Sequence, residues 1–200
     1  MDTDKIGIVI LAAGGSTRFG EPKHLLQFEG MSFLRRAVDT ALSSGSGLVA
    51  VVLGQDAAAA KDEIDGLPVE IVVNNDWQAG ISSSIKCGLK KLLEDEPELA
   101  AVIFMLCDQP LVTGDTISAL IDGFRSTQKT IVACEYEKTP GVPALFASEL
   151  FSELMSLEGD VGAKPVILSH AADVCKIDAP EAFSDIDTQA DYEKLLTPKL

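Results

Sequence analysis

The chain has 200 residues and a formal net charge of −15, with 46% hydrophobic and 24% charged residues. This length and composition suit one soluble globular domain with a sizeable core. A surface this acidic repels nucleic-acid backbones and anionic membranes, so neither is expected as a partner. It also repels small anions, so any phosphate site must carry its own cations or a metal.

The cysteines and the start of the chain indicate the compartment. The four cysteines are widely spaced, without a CxxC pair, at Cys87, Cys107, Cys134 and Cys175. This spacing predicts reduced thiols in a cytosolic protein rather than a zinc site or a disulfide framework. The chain begins Met1-Asp2-Thr3-Asp4-Lys5, which is acidic and lacks the basic start of a signal peptide. No apolar run approaches the ~18 residues of a membrane span. We therefore expect a soluble, cytoplasmic protein.

Short apolar runs alternate with longer amphipathic stretches along the chain. The apolar runs predict buried parallel strands at 6–12, 48–53, 69–73, 101–106 and 130–133. The amphipathic stretches predict helices at 32–42, 57–64, 83–93 and 116–124. After residue 135 a break at 141–143 is followed by a predicted helix at 149–157, a strand at 171–177 and a final helix at 189–196. This alternation predicts a single α/β domain, with a mostly parallel sheet and helices on both faces.

Polar segments follow three of these strands, where ligands bind in open α/β sheets. They span residues 13–23, 74–84 and 107–110, and we expect them to converge on one edge of the sheet. The first is rich in glycine, and its Arg18 and Lys23 supply positive charge for phosphates. Glu21 stands where a P-loop requires lysine, and Ser16 stands where the dinucleotide fingerprint requires glycine. A phosphate-binding loop of another kind is predicted, the alternative being a strand-to-helix turn without a ligand.

The other two polar segments each allow two interpretations. Gly80 and the serines after it open a helix, where serine is expected as an N-cap but also suits a base or ribose. Asp108 ends a predicted central strand, where a carboxylate is costly unless it is paired or bound to a metal such as Mg²⁺. Its alternative role is to cap the turn that follows. Asp187 is either a second acidic ligand or the N-cap of the last helix. His24, which has no partner histidine nearby in the sequence, is expected to be structural or peripheral rather than a general base.

The ordered set of motifs resembles the MobA-like nucleotidyltransferases. The nucleotide signature of that family is matched by Leu11-Ala12-Ala13-Gly14, Ser16, Arg18, Gly20 and Lys23-His24-Leu25-Leu26. Five later segments are similar to the molybdenum cofactor cytidylyltransferase branch: Gly80 to Ser84, Cys107 to Pro110, Gly141 to Pro143 with Phe146, Gly159 to Ala163, and Asp185 to Thr188. The match spans nearly the whole chain.

The resemblance implies a single Rossmann-like domain over residues 1–200, with a nucleotide-binding half at about 1–110 and an acceptor-binding half at about 111–200. It implies transfer of CMP from CTP to the terminal phosphate of molybdopterin, with Mg²⁺ as cofactor and a molybdenum hydroxylase as recipient of the product. Val142 and Lys164 depart from the His and Arg that the branch often has there. Another phosphorylated acceptor, GTP as donor, and a non-catalytic carrier of the cofactor therefore stay open.

The resemblance also implies a role for individual residues. Arg18, Lys23 and Asp108 would form the catalytic set. Asp108 and Asp187 would bind the metal, although Asp185 remains the alternative second ligand. The nucleotide would contact Leu11, Ala12, Ala13, Gly14, Gly15, Arg18, Lys23, Gly80, Ser83 and Ser84. The acceptor would contact Pro143, Asp160 and Gly162.

Overall fold

The computed structural model describes residues 4–14, 22–136, 139–180 and 185–197. Within these ranges a seven-stranded sheet is built from β1 (Ile6–Ala12), β4 (Leu48–Leu53), β5 (Glu70–Val73), β6 (Ala101–Leu106), β7 (Ile131–Tyr136), β8 (Thr139–Ala147) and β9 (Val174–Asp178). The strand order in this sheet is β5-β4-β1-β6-β8-β7-β9. The short strands β2 (Gln27–Phe28) and β3 (Met31–Ser32) form a separate hairpin. All strand pairs of the large sheet are parallel except the two that involve β8.

Helices connect most of these strands, and side-chain caps mark where several of them begin. They are α1 (Phe33–Ser43), α2 (Ala57–Glu63), α3 (Ile81–Asp95), α4 (Gly114–Thr127), α5 (Phe151–Ser156), α6 (Lys164–Ser169) and α7 (Gln189–Leu196). The Ser32 hydroxyl accepts a hydrogen bond from the Arg35 backbone N–H at 3.1 Å and so begins α1. Thr113 and Thr188 begin α4 and α7 with reciprocal capping boxes. Each cap satisfies backbone donors that the first helical turn leaves free.

The core lies on both faces of the sheet because successive strand residues point to opposite sides. Ile8 and Ile10 of β1 pack on one face among side chains from α1, α2 and α4. Val9 and Leu11 pack on the other face with side chains from α3, α5 and α6. Every residue of β1 is buried. The predicted single α/β domain with helices on both faces is confirmed.

The predicted break at 141–143 is wrong, because β8 runs through it. Ala133 of β7 pairs with Ala144, whereas the next residue, Cys134, pairs with Gly141. Val142 and Pro143 are therefore extra residues that bulge from the ladder while the strand continues. A bulge of this kind redirects a strand locally without ending it. The predicted strand at 171–177 begins later, at Val174, after a short helical turn.

Among the residues that the structure describes, no helix combines the length and apolar character needed to cross a bilayer.

Candidate active site

A cavity of about 570 Å³ opens at the carboxyl edge of the sheet, where the segments after β1, β5 and β6 meet. The expected convergence of these three segments is thus confirmed. The first two segments, together with the last two residues of β1, contribute Leu11, Ala12, Ala13, Gly14, Lys23, His24, Trp77, Gln78, Ala79, Gly80, Ile81 and Ser84. The third segment contributes Cys107 and Asp108, next to Leu106 at the end of β6, and Asp160 joins the wall from the loop before α6.

One end of the cavity is charged, with a lysine held between two carboxylates. The Lys23 Nζ atom lies 2.7 Å from Asp187 Oδ1 and 3.6 Å from Asp108 Oδ2. Asp108 is the second residue after β6, and Asp187 directly precedes the residue that caps α7. That cap is Thr188, so the alternative role of Asp187 as the N-cap is wrong. Residues far apart in the sequence therefore form one charged cluster.

The Asp108 carboxylate lies in an environment that disfavours its own charge. Its Oδ1 atom is buried and has no hydrogen-bond partner within the described part of the chain. Burial, followed by repulsion from the Asp185 carboxylate, raises the pKa of Asp108 to about 6, although Lys23 acts in the opposite direction. An additional cation would stabilise the ionised form. The site is therefore suited chemically to a positively charged ligand.

The residues present also fit a divalent metal that arrives with a phosphate ligand. Among the described residues there is no group of three or more His, Cys, Asp or Glu side chains arranged to hold a metal. Asp108 and Asp187 can supply two carboxylates. Mg²⁺ is commonly held by one or two carboxylates, with substrate phosphate oxygens and water completing its shell.

The other end of the cavity is built on the start of α3. Gly80 has a φ of 102°, and a Cβ atom there would overlap the backbone of Gly159 and Asp160. The Ser82 hydroxyl and backbone N–H both donate to the Gly159 carbonyl, at 2.7 and 3.3 Å. Only glycine fits this close contact. The predicted acceptor residue Asp160 is thus packed directly against the predicted nucleotide-binding turn, and its carboxylate accepts from the Ile81 backbone N–H at 3.5 Å.

A buried asparagine that sequence reasoning missed organises the serines of this turn. The Asn74 Nδ2 atom donates to the Ser83 and Ser84 hydroxyls, at 2.8 and 3.0 Å. Ser84 lines the cavity, whereas Ser83 lies outside its wall and donates to the Gly80 carbonyl at 2.7 Å. The one available signal was a polar residue directly after an apolar strand.

A second missed residue, Gln109, connects the charged end to the bulge in β8. Its Nε2 atom donates to Asp185 Oδ1 at 2.9 Å and to the Val142 carbonyl at 3.2 Å. Pro143 therefore lies beside the site but outside the cavity wall. Gly162 also lies outside the wall, and a Cβ atom there would be 3.9 Å from Ile81 Cγ2.

His24 is the last of the candidate residues that the structure describes. His24 is 3% exposed, and burial lowers its pKa although Asp56 opposes this change. A neutral, buried imidazole agrees with the structural role expected for it. Gly15 and Arg18 lie outside the described residues, so their roles stay predictions.

Comparison with known proteins relates this chain to a family. The family model described as MobA-like NTP transferase domain matches residues 8–174. Nicotine blue oxidoreductase of Paenarthrobacter nicotinovorans is 30% identical over 197 residues, covering 94% of this chain and 95% of that protein. The crystal structure of Rv0371c from Mycobacterium tuberculosis H37Rv in complex with manganese has a TM-score of 0.80 at 30% identity, covering 96% of this chain and 98% of that one. A nucleotidyl transferase from Methanothermobacter thermautotroptrophicus shares the fold, with a TM-score of 0.80 at 21% identity over 96% of each chain.

Proposed function

The chain belongs to the MobA-like NTP transferase domain family, and we propose that it transfers CMP from CTP to the terminal phosphate of a molybdopterin-type acceptor. Pyrophosphate would be the second product and Mg²⁺ the cofactor. Nucleotidyl transfer itself follows from the family and the fold. The observation that carries the finer proposal is the Lys23 ammonium group, held between Asp108 and Asp187 at the charged end of the cavity.

The charged end suits a triphosphate. In a protein of net charge −15, a lysine on the cavity wall is a local exception to the repulsion that anions meet elsewhere. A triphosphate would offer Lys23 new partners and so release the two carboxylates for the metal. Arg18 is the proposed second cation. When bound, Mg²⁺ would neutralise charge on the phosphate oxygens as a Lewis acid.

The proposed reaction needs no protein nucleophile. An oxygen of the acceptor phosphate attacks the α-phosphorus of CTP, and the bond to pyrophosphate breaks in line. Positioning and charge neutralisation are the main requirements of such a step. Cys107, the thiol on the cavity wall, is poorly suited to attack because burial, and then Asp108, raise its pKa.

The rest of the cavity suits the nucleoside. The proposed contacts are the backbone from Leu11 to Gly15 and the turn from Gly80 to Ser84, to which Ser83 contributes through its hydrogen bonds. Ala13 is 4% exposed and lines the cavity. Its methyl group fills space that a glycine would leave open, which should favour a pyrimidine by roughly 10–200-fold.

The proposed acceptor site lies around the loop before α6. Asp160 on the wall, with Pro143 and Gly162 beside it, is proposed to contact the pterin. A molybdenum hydroxylase is the proposed recipient, and the wide spacing of the four cysteines supports work in the cytoplasm. GTP as donor, another phosphorylated acceptor and a non-catalytic carrier role remain the alternatives. The retained pair of Lys23 and Asp108 favours catalysis over the carrier role.

Incubation of the protein with equal CTP and GTP, Mg²⁺ and molybdopterin tests the proposal. We expect pyrophosphate release and a cytidylyl product by mass spectrometry, both lost with EDTA. A dominant guanylyl product would overturn the choice of donor. Consumption of nicotine blue without pyrophosphate release would instead favour the redox activity for which the 30% identical relative is named.

A further inference from the structure

Gln109 joins two segments that flank the charged end of the cavity. Its side chain is 5% exposed, and its Nε2 atom donates to Asp185 Oδ1 at 2.9 Å and to the Val142 carbonyl at 3.2 Å. A primary amide nitrogen carries two hydrogens, so it can donate to both of these acceptors at once. Asp185 and Val142 lie 76 and 33 residues from Gln109 along the chain. One buried side chain thus connects the segment after β6, the bulge in β8 and the segment before α7.

The segment before α7 carries Asp187 and is held at three consecutive residues. Ile186 is 3% exposed, packs with Leu26 and Phe33, and donates its backbone N–H to the Asp108 carbonyl at 3.1 Å. On one side of Ile186, Gln109 binds the Asp185 carboxylate. On the other side, Asp187 reaches Lys23. Gln109 therefore helps to fix the position of Asp187 from two residues away.

The position beside the Asp185 carboxylate suits a neutral hydrogen-bond donor such as the Gln109 amide. Asp108 and Asp187 both contact Lys23, at 3.6 and 2.7 Å, and Asp185 is two residues from Asp187 along the chain. The amide of Gln109 stabilises the Asp185 charge without adding a cation that would compete for the other two carboxylates. A glutamate there would instead place a fourth carboxylate in the cluster.

We propose that Gln109 is a positioning residue, which holds Asp185 so that Asp187 and Asp108 can share one divalent cation. In this arrangement Asp185 anchors its segment through the hydrogen bond with Gln109, whereas Asp187 contacts the metal. Through Val142 the same amide ties this geometry to the bulge beside Pro143, on the proposed acceptor side. The inference rests on the proposed metal site.

Binding of Mn²⁺ to the whole protein in the presence of CTP, followed by electron paramagnetic resonance, tests this role without any turnover. Gln109→Met keeps the side-chain volume and removes the donor, and we expect Mn²⁺ to bind about 10–100-fold more weakly. Asp185→Ala removes the same bond from an exposed position, so it avoids the risk that a buried substitution prevents folding. We expect a similar loss in that variant and no further loss in the double variant, because both changes break one interaction.

Thr130→Val is the matched control. Thr130 donates its hydroxyl and its backbone N–H to the Asp173 carboxylate. It precedes β7, which runs in the same direction as β6, so it lies at the opposite edge of the sheet from the cavity. Loss of this bond to an aspartate should leave Mn²⁺ affinity unchanged.

Asp108→Asn separates failure of the inference from failure of the proposed metal site. Wild-type Mn²⁺ affinity in Asp108→Asn would overturn the metal site and the inference with it. Loss of affinity in Asp108→Asn, together with wild-type affinity in both Gln109→Met and Asp185→Ala, would overturn the inference alone. Additive losses in the double variant would make Asp185 a ligand in its own right and would also overturn the role given to Gln109.

Discussion

The buried carboxylate of Asp108 should lower the free energy of unfolding of the metal-free protein above about pH 6. Its pKa is raised from 3.8 to about 6, chiefly by burial. The folded protein therefore holds this proton more tightly than the unfolded chain does, so stability is lost as the pH rises through 6. A rise of this size corresponds to at most about 3 kcal/mol. Asp108→Asn removes the charge, and in EDTA we expect the variant to be the more stable protein at pH 7.5, with the difference closing toward pH 4.

Urea unfolding at pH 4.5 and 7.5 measures this difference, and the transfer rate measures its functional counterpart. Loss of a charge contact made in the transition state should reduce the rate by about 10²–10³. A wild type that is more stable than Asp108→Asn at pH 7.5 in EDTA would show that attraction to Lys23 outweighs burial.

Lys23 and the metal should compete for the same two carboxylates. The Lys23 ammonium group lies within ion-pair distance of Asp108 and Asp187, which are the proposed metal ligands. We expect Lys23→Met to weaken CTP binding while leaving cytidine binding nearly unchanged, because the lost contact is to phosphate. Without nucleotide, the same change should strengthen Mn²⁺ binding, since the competing cation is gone.

Calorimetry with CTP, cytidine and Mn²⁺ measures all three effects in one protein. Lys5→Met is the matched control, because Lys5 pairs with Glu96 at 2.7 Å before β1 begins, at the far edge of the sheet. Equal losses of CTP and cytidine affinity in Lys23→Met would place this lysine away from the phosphates.

At the level of elements, the contact between the start of α3 and the loop before α6 depends on one glycine. Gly80→Ala adds a methyl group that would collide with the backbone of Gly159 and Asp160. Gly66→Ala is the control, because Gly66 also has a positive φ, 73°, but has open space around its Cβ position. Gly66→Ala should cost roughly 1 kcal/mol of backbone strain. Gly80→Ala should cost about 1–3 kcal/mol of strain, because a φ of 102° with a ψ of 172° is a conformation that essentially only glycine adopts. We expect Gly80→Ala to cost at least about 1–3 kcal/mol more and to weaken CTP binding.

Thermal unfolding and CTP titration of the two variants check this expectation. Equal destabilisation by both substitutions would mean that the loop moves away freely, and that the turn and the loop are not coupled.

The elements were predictable wherever periodicity alone decides the structure. The runs that became β1, β4 and β6 are continuously apolar because both faces of those strands are covered. The strand β8 was not predictable from its own residues. Its Val142 and Pro143 break the pattern locally, and only the pairing with β7 on one side and β6 on the other shows that the strand continues.

Some residues of the candidate site could likewise be predicted from local motifs, whereas others could not. Lys23, Gly80 and Asp108 stand in short motifs at strand ends, which the sequence displays directly. The role of Gln109 depends on Asp185, 76 residues away, so no local spacing could indicate it. The hydrogen bonds of Asn74 to two serines likewise exist only after β5 and α3 have packed.

For the molecule as a whole, the excess of 31 acidic over 16 basic residues should set the salt dependence of nucleotide binding. Charges far from the cavity repel a triphosphate over a range of about 30 Å at 0.01 M salt, but only about 8 Å at 0.15 M. The proposed contacts of the phosphates with Lys23 and the metal would be short and screened much less. We therefore expect CTP affinity at fixed Mg²⁺ to stay constant or to rise as NaCl increases from about 10 to about 150 mM, because salt screens the distant acidic charges more strongly than the short contacts. Calorimetry with CTP, and with uncharged cytidine as a salt-independent control, measures the dependence. A steep fall in CTP affinity with salt would show that local ion pairs outweigh the field of the acidic surface.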